Sequence, residues 1–143
     1  MGTHSLTAAD IQLNREAQAR ELMTAMLGAP LPDDLDIQAD VFGDCTQWVF
    51  QQISVTGYAG DIGLRVLWQP DGGLIVRVTS HRETPGIGDF IDHRRDPWMT
   101  TLDGASADEI NELDNVTGAT ITSKAIQQGA LRSMQNLEAY CRG

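Results

Sequence analysis

Residues 114–124 read DNVTGATITSK, and the hydroxyl residues Thr117, Thr120, Thr122 and Ser123 crowd around the pair Gly118-Ala119. A clean helical pattern follows at once, so the cluster stands at a helix mouth. There the first backbone N–H groups lack helical partners and the dipole is positive, an arrangement that collects anions. A glycine just before the helix lets a ligand approach the backbone, and Lys124 adds a positive charge nearby. The cluster therefore has the makings of a phosphate seat. The competing use of the same residues is capping, with Thr122 or Ser123 as N-cap and the rest a polar turn, and on these residues alone capping is favoured. The spacings GxxxxGK[ST] and GxGxxG are absent. A threonine hydroxyl is a weak nucleophile at neutral pH, and Asp114 is the one neighbouring residue with a base to offer.

The elements that must position this cluster are legible upstream and downstream. Ile126, Ala130, Met134, Leu137 and Cys141, with Ala125 and Leu131 beside them, form the apolar stripe of a final helix. Across residues 46–80 the period falls to two. Trp48, Phe50 and Ile53 begin it; Ile62, Leu64, Val66 and Trp68 continue it; Pro70-Asp71-Gly72-Gly73 turns the chain, and Leu74, Val76 and Val78 return. This predicts an antiparallel hairpin preceded by a strand and by the loop Gly57-Tyr58-Ala59-Gly60. Residues 83–89, ETPGIGD, read as a loop, and residues 107–113 as a short turn of helix.

Residues 6–27 carry Leu6, Ile11, Leu13, Ala17, Leu22, Met23, Met26 and Leu27 among charges, which predicts an amphipathic helix with Thr7 or Asp10 as N-cap and Gly28 as its stop. An acidic, Pro-rich connector, GAPLPDDLD, follows. Helix, strands and helix together predict an α+β domain, a twisted and mainly antiparallel sheet packed with N- and C-terminal helices. The expected division is an N-terminal helix over residues 1–28 and a domain over residues 29–143.

Composition narrows the partners. The chain has 143 residues, 41% hydrophobic and 21% charged, the balance of one ordinary soluble globular domain. Its 20 acidic against 10 basic residues give a net charge of −10, which opposes the phosphate neutralisation that nucleic-acid binding needs. The basic group His81, Arg82, His93, Arg94 and Arg95 is either a solvated loop face or a phosphate or partner contact. Cys45 and Cys141 have no CxxC or Cys/His company, which argues against zinc; they are either one disulfide or two structural thiols, the thiols being favoured. No apolar run reaches the roughly 18 residues of a membrane span, and no secretory signal is visible. The abrupt opening MGTHSL leads us to expect that a native anchor or signal precedes it.

The segment DNVTGAT fits Asp-x-x-Ser/Thr-Gly-Ala-Thr, which resembles the flavinylation motif of extracytoplasmic FMN-binding domains. Such domains occur in the G subunit of the Rnf (Rsx) electron-transport complex and the C subunit of the sodium-pumping NADH:quinone reductase. HRETPGIGDFI resembles that family's His-Lys-Glu-Thr-Pro-Gly-Leu-Gly-Asp block and GYAGDI its Gly-Tyr-x-Gly-x-Ile block, all in the family's order over residues 57–132. The first helix resembles the segment after the membrane anchor of the Rnf G subunit. The resemblance implies FMN joined through its phosphate to Thr120 by a dedicated flavin transferase. Asp114, Thr117, Gly118 and Ala119 would complete the transferase's motif, with Thr117 and Thr122 near the phosphate. Glu83, Thr84 and the backbone of Gly86, Ile87 and Gly88 would line the isoalloxazine, and Tyr58 would flank it.

Each has a plainer use: core or rim packing for Tyr58 and Trp98, loop-capping hydrogen bonds for Glu83 and Thr84. The implied role is an electron-transfer subunit without catalytic residues or metal of its own, docked with other subunits of a membrane-bound ferredoxin:NAD oxidoreductase, on the periplasmic side of a bacterial inner membrane. Arg82 departs from the family's lysine, and the connection from Trp98 to Asp114 is shorter than usual in the Rnf G subunit, as if a strand or hairpin were missing. An FMN-binding domain of another membrane reductase or regulator, or a non-redox phosphate-binding module, are the alternative readings.

Overall fold

In the computed structural model, which describes residues 7–114, 116 and 118–142, the period-two segment forms a sheet. Its strands are β1 (Val41–Gly43), β2 (Val49–Thr56), β3 (Asp61–Gln69) and β4 (Gly73–Ser80), ordered β1-β2-β3-β4 with every neighbouring pair antiparallel. β1 escaped the sequence pattern because three residues are too few to show a period. Its Phe42 packs on Phe50, and Trp48 meets both rings edge-on. At the predicted β3–β4 turn Gly72 N–H donates to Gln69 O at 3.2 Å. Gly73 takes a left-handed φ of +75°, and a Cβ there would stand 2.7 Å from Gly104 O.

One face of the sheet carries Val49, Ile53 and Val55 from β2, Ile62, Leu64 and Val66 from β3, and Leu74 and Val76 from β4, in register. The predicted helix stripe answers it. α4 (Thr120–Arg142) buries Ile126, Ala130, Met134 and Leu137 in the same core. Removing the Ile126, Met134 or Leu137 side chain from water contributes roughly 2 kcal/mol each. Gly129 lies where α4 comes closest, and a Cβ there would overlap Val55. In this otherwise apolar contact the buried Ser133 hydroxyl donates to Gln51 Oε1 at 2.6 Å, satisfying both groups.

Residues 83–89, expected as loop, contain the start of one short helix, α2 (Ile87–Phe90). The stretch to α4 holds a 3₁₀ turn (Met99–Leu102) and α3 (Ala107–Asn111), the latter opened by a Ser106–Glu109 capping box. Trp98 takes the packing role, edge-on to Phe90 at 4.9 Å between ring centres. Arg77 on β4 donates twice to Asp103 at 2.8 Å, a bidentate pair that fixes the 3₁₀ turn to the sheet. Cys45 and Cys141 form a disulfide with Cα atoms 5.4 Å apart, correcting the preference for two thiols.

The chain divides into compact units at residues 1–39 and 40–143. In the first, α1 (Ala8–Leu27) starts at the Thr7–Asp10 capping box and stops at Gly28, left-handed at φ +73°. Leu6 lies outside the described residues. The amphipathic expectation fails over the helix's first half, where Ile11 and Leu13 are exposed; only Met23 and Met26 are buried. Arg20 organises the connector by donating to the carbonyls of Pro32, Asp33 and Leu35.

Candidate functional site

α4 begins at Thr120, three residues earlier than capping by Thr122 would require, so Thr122 and Ser123 lie inside its first turn and neither is the N-cap. Their oxygens go elsewhere. Ser123 donates back to Ala119 O at 2.7 Å and accepts from Val116 N–H at 3.2 Å, which folds the incoming loop onto the helix. Ala119 N–H closes the same loop on Val116 O at 2.9 Å. Gly118 has a left-handed φ of +83° with nothing within 4 Å of where a Cβ would stand. On the far side of the loop, Gln127 Nε2 donates to Ile110 O and Asn111 O at 2.8 and 3.0 Å, tying the end of α3 to α4. Thr120 is left exposed at the first position of the helix, followed by Ile121 at 57% exposure.

Thr122 turns inward. It is fully buried, and its hydroxyl donates to Glu83 Oε1 at 3.0 Å while accepting from Tyr58 N–H at 3.3 Å. Glu83 Oε2 accepts from Ala59 N–H at 3.1 Å. A Cβ on Gly57 would overlap the Glu83 carboxylate, so glycine is required for this approach. Glu83 N–H donates to His81 Nδ1 at 3.1 Å, and Gly88 leaves room for that imidazole. Three stretches far apart in sequence, residues 57–60, 81–88 and 118–123, thus meet at the N-terminal end of α4.

Of the residues singled out by sequence, Glu83, Gly88, Ala119 and Thr122 are buried. Thr84, Gly86, Asp114, Gly118 and Thr120 are exposed, Ile87 is half-buried, and Tyr58 is 66% exposed. Thr117 lies outside the described residues. Among these, Glu83, Thr122 and the Tyr58 backbone are joined directly by hydrogen bonds. Gly57, Ala59, Ser123 and His81 belong to the same constellation; the sequence offered Ser123 only as a cap or phosphate-seat hydroxyl and His81 only as part of a basic group, and gave Gly57 and Ala59 no role of their own. Gly57 and Ala59 stand inside the GYAGDI block, and that is the one signal that marks them.

The basic cluster dissolves into local pairs. Arg94 bonds to Asp92, and Arg95 to Asp89 and Asp92. Hydrogen bonds from the Arg94 side chain and backbone hold the Asp92 carboxyl below its usual range, and Asp92 in turn raises Arg94. Burial, then the charge of Arg77, lowers the His93 pKa. His81 and Arg82 instead line an open cavity of about 300 Å³ with Asp61 and Ser80. That lining is polar, unlike the mainly apolar walls of a typical small-molecule pocket.

Residues 57–135 match the FMN-binding domain family. The chain is similar to the G subunit of the ion-translocating oxidoreductase complex of Stutzerimonas stutzeri, 36% identical over 105 residues, covering 65% of this chain and 46% of that protein. It is similar to the protein of the same name from Haemophilus influenzae (strain PittEE), 31% identical over 162 residues, with 92% of this chain and 78% of that protein covered. A third, from Pseudomonas aeruginosa (strain UCBPP-PA14), is 28% identical over 136 residues, covering 87% and 63%. The chain therefore spans about half to four-fifths of these relatives. The matched region holds the three stretches gathered at the mouth of α4, and the chain belongs to the FMN-binding domain family.

Proposed function

We propose that this chain is the electron-transfer domain of an Rnf-type ion-translocating oxidoreductase complex and carries FMN through a phosphoester on Thr120. The observation that supports this most is the placement of Thr120. Thr120 is an exposed residue at the start of α4, inside the motif DNVTGAT, while the neighbouring hydroxyls of Thr122 and Ser123 are spent on internal bonds. The residues fit a flavin phosphate. The first-turn N–H groups and dipole of α4 favour an anion. The Cβ positions of Gly118 and Gly86 open onto space, and Tyr58 and Ile121 are exposed large apolar side chains of the same three stretches.

Thr120 acts as the substrate of the attachment step. On a separate flavin transferase its oxygen displaces AMP from FAD; the transferase, with a divalent metal, supplies the base that takes the hydroxyl proton. Bound flavin supplies the redox chemistry, and the protein around it sets position and potential. Partner proteins of the complex exchange the electrons, and the net charge of −10 biases which surfaces dock.

The Cys45–Cys141 disulfide favours an oxidising compartment, here the periplasmic face of a bacterial inner membrane. Among the described residues no helix is long and apolar enough to cross a membrane. The test is co-expression with a flavin transferase followed by denaturation and desalting. Flavin fluorescence should stay with the polypeptide and be absent from Thr120→Ala; fluorescence that washes away on denaturation would reject the covalent link.

A further inference from the structure

We infer that Glu83 is a positioning residue: its buried carboxylate holds the β2–β3 loop against the first turn of α4 and so sets where Tyr58 stands relative to the Thr120 hydroxyl. The inference rests on the reading of Thr120 as the attachment site. Glu83 is 8% exposed, and both of its oxygens already serve protein donors, Thr122 on one and the Ala59 amide on the other. A carboxylate so occupied is an internal clamp.

Thr122 works in both directions. Its single hydrogen goes to Glu83, which leaves a lone pair for Tyr58 N–H and makes a chain of polarised bonds in a buried setting. Helix geometry carries the effect to Thr120. Residues two apart on an α-helix point roughly 200° from one another. Seating Thr122 on Glu83 therefore turns Thr120 to the opposite side, into solvent. The Tyr58 ring is too exposed for packing to place it; the hydrogen bonds of its own amide and of Ala59 do so. Gly57 and the His81 imidazole complete the clamp, the first by admitting the carboxylate and the second by accepting from the Glu83 amide.

The test compares the full chain with Thr122→Val, Thr122→Ser and Glu83→Leu. Amide hydrogen exchange is read without flavin, and the time course of attachment is read by intact mass with FAD and an active transferase. Thr122→Val keeps the shape and loses the hydroxyl. It should slow attachment by roughly 10- to 100-fold, the scale of a misplaced reacting group. It should also speed exchange at Tyr58 and Ala59 without changing exchange in β3 or the middle of α4.

Thr122→Ser should restore both readouts, which loss of packing alone does not predict. Wild-type attachment with unchanged Tyr58 and Ala59 exchange in Thr122→Val would overturn the inference. If that variant exchanges faster throughout α4 and β3, Glu83→Leu decides: with both acceptors removed it should slow attachment and free the Ala59 amide, and wild-type behaviour would again overturn the clamp. A wild-type chain that accepts no flavin rejects the attachment reading, while the exchange comparison still judges the clamp by itself.

Discussion

The two ends of α4 are secured in opposite ways. At the C-terminal end Cys141 is bonded covalently to Cys45, across 96 residues of sequence. At the N-terminal end the helix is held by a buried carboxylate, two inward hydroxyls and backbone amides, through bonds of 2.7 to 3.3 Å. The difference teaches what each end is for. A staple needs only to resist unfolding, whereas the mouth of the helix, in the proposed reading, must hold its loops still and leave the Thr120 hydroxyl accessible. Polar side chains achieve both because they can point alternately inward and outward within one turn.

Breaking the staple should have the largest effect on stability. Closing a loop of 96 residues is worth roughly 4–5 kcal/mol on chain-entropy grounds, so Cys45→Ser with Cys141→Ser should lower the denaturant midpoint strongly. Attachment at Thr120, measured well below the new melting temperature, should be unchanged. Next comes the mouth: Gly57→Ala drives a methyl into the Glu83 carboxylate and should cost about 1–3 kcal/mol. In contrast to the double serine variant, it should slow flavin attachment too. Between the ends, Ser133→Ala leaves Gln51 Oε1 without its buried donor, a loss of about 1–2 kcal/mol measurable by denaturant titration, with attachment intact.

The smallest effect lies outside α4 and depends on pH. Because burial and Arg77 lower the His93 pKa in the folded chain, the unfolded chain binds this proton more readily. The contribution is therefore constant above about pH 6.5 and is lost as pH falls below it. Asp92, lowered mainly by its Arg94 hydrogen bonds, adds stability that is present above its ordinary value of 3.8 and is lost only as pH falls below it. A melting temperature that declines modestly from about pH 6.5 to about pH 5, and a flatter profile in His93→Gln, would identify the histidine step.

Legibility in the sequence followed distance along the chain. The hairpin, the apolar stripe of α4 and the Thr7 and Gly28 ends of α1 were readable because each is set by residues a few positions apart. The DNVTGAT segment stood out for the same reason, being seven contiguous residues. The start of α4 was misjudged because threonine and serine usually cap a helix with their oxygens, and here Glu83, 39 positions away from Thr122, claims one of them. Glu83 itself was visible only as part of a block; its partner Ala59 lies 24 positions off, and the Tyr58–Thr122 bond spans 64. The cysteine pairing was hidden likewise, since it depends on α4 running back along the sheet to the β1–β2 connection. In α1 the apolar residues promised a buried face along the whole helix, yet periodicity alone does not say that a partner surface extends that far.

The central claim is that Thr120 is the hydroxyl presented for flavin. The most direct measurement is the intact mass of the chain and of Thr120→Ala after co-expression with a transferase shown to be active on another substrate. The predicted result is a gain of one FMN less one water on the wild-type chain and none on the variant. An unchanged wild-type mass, or the same gain on Thr120→Ala, would contradict it.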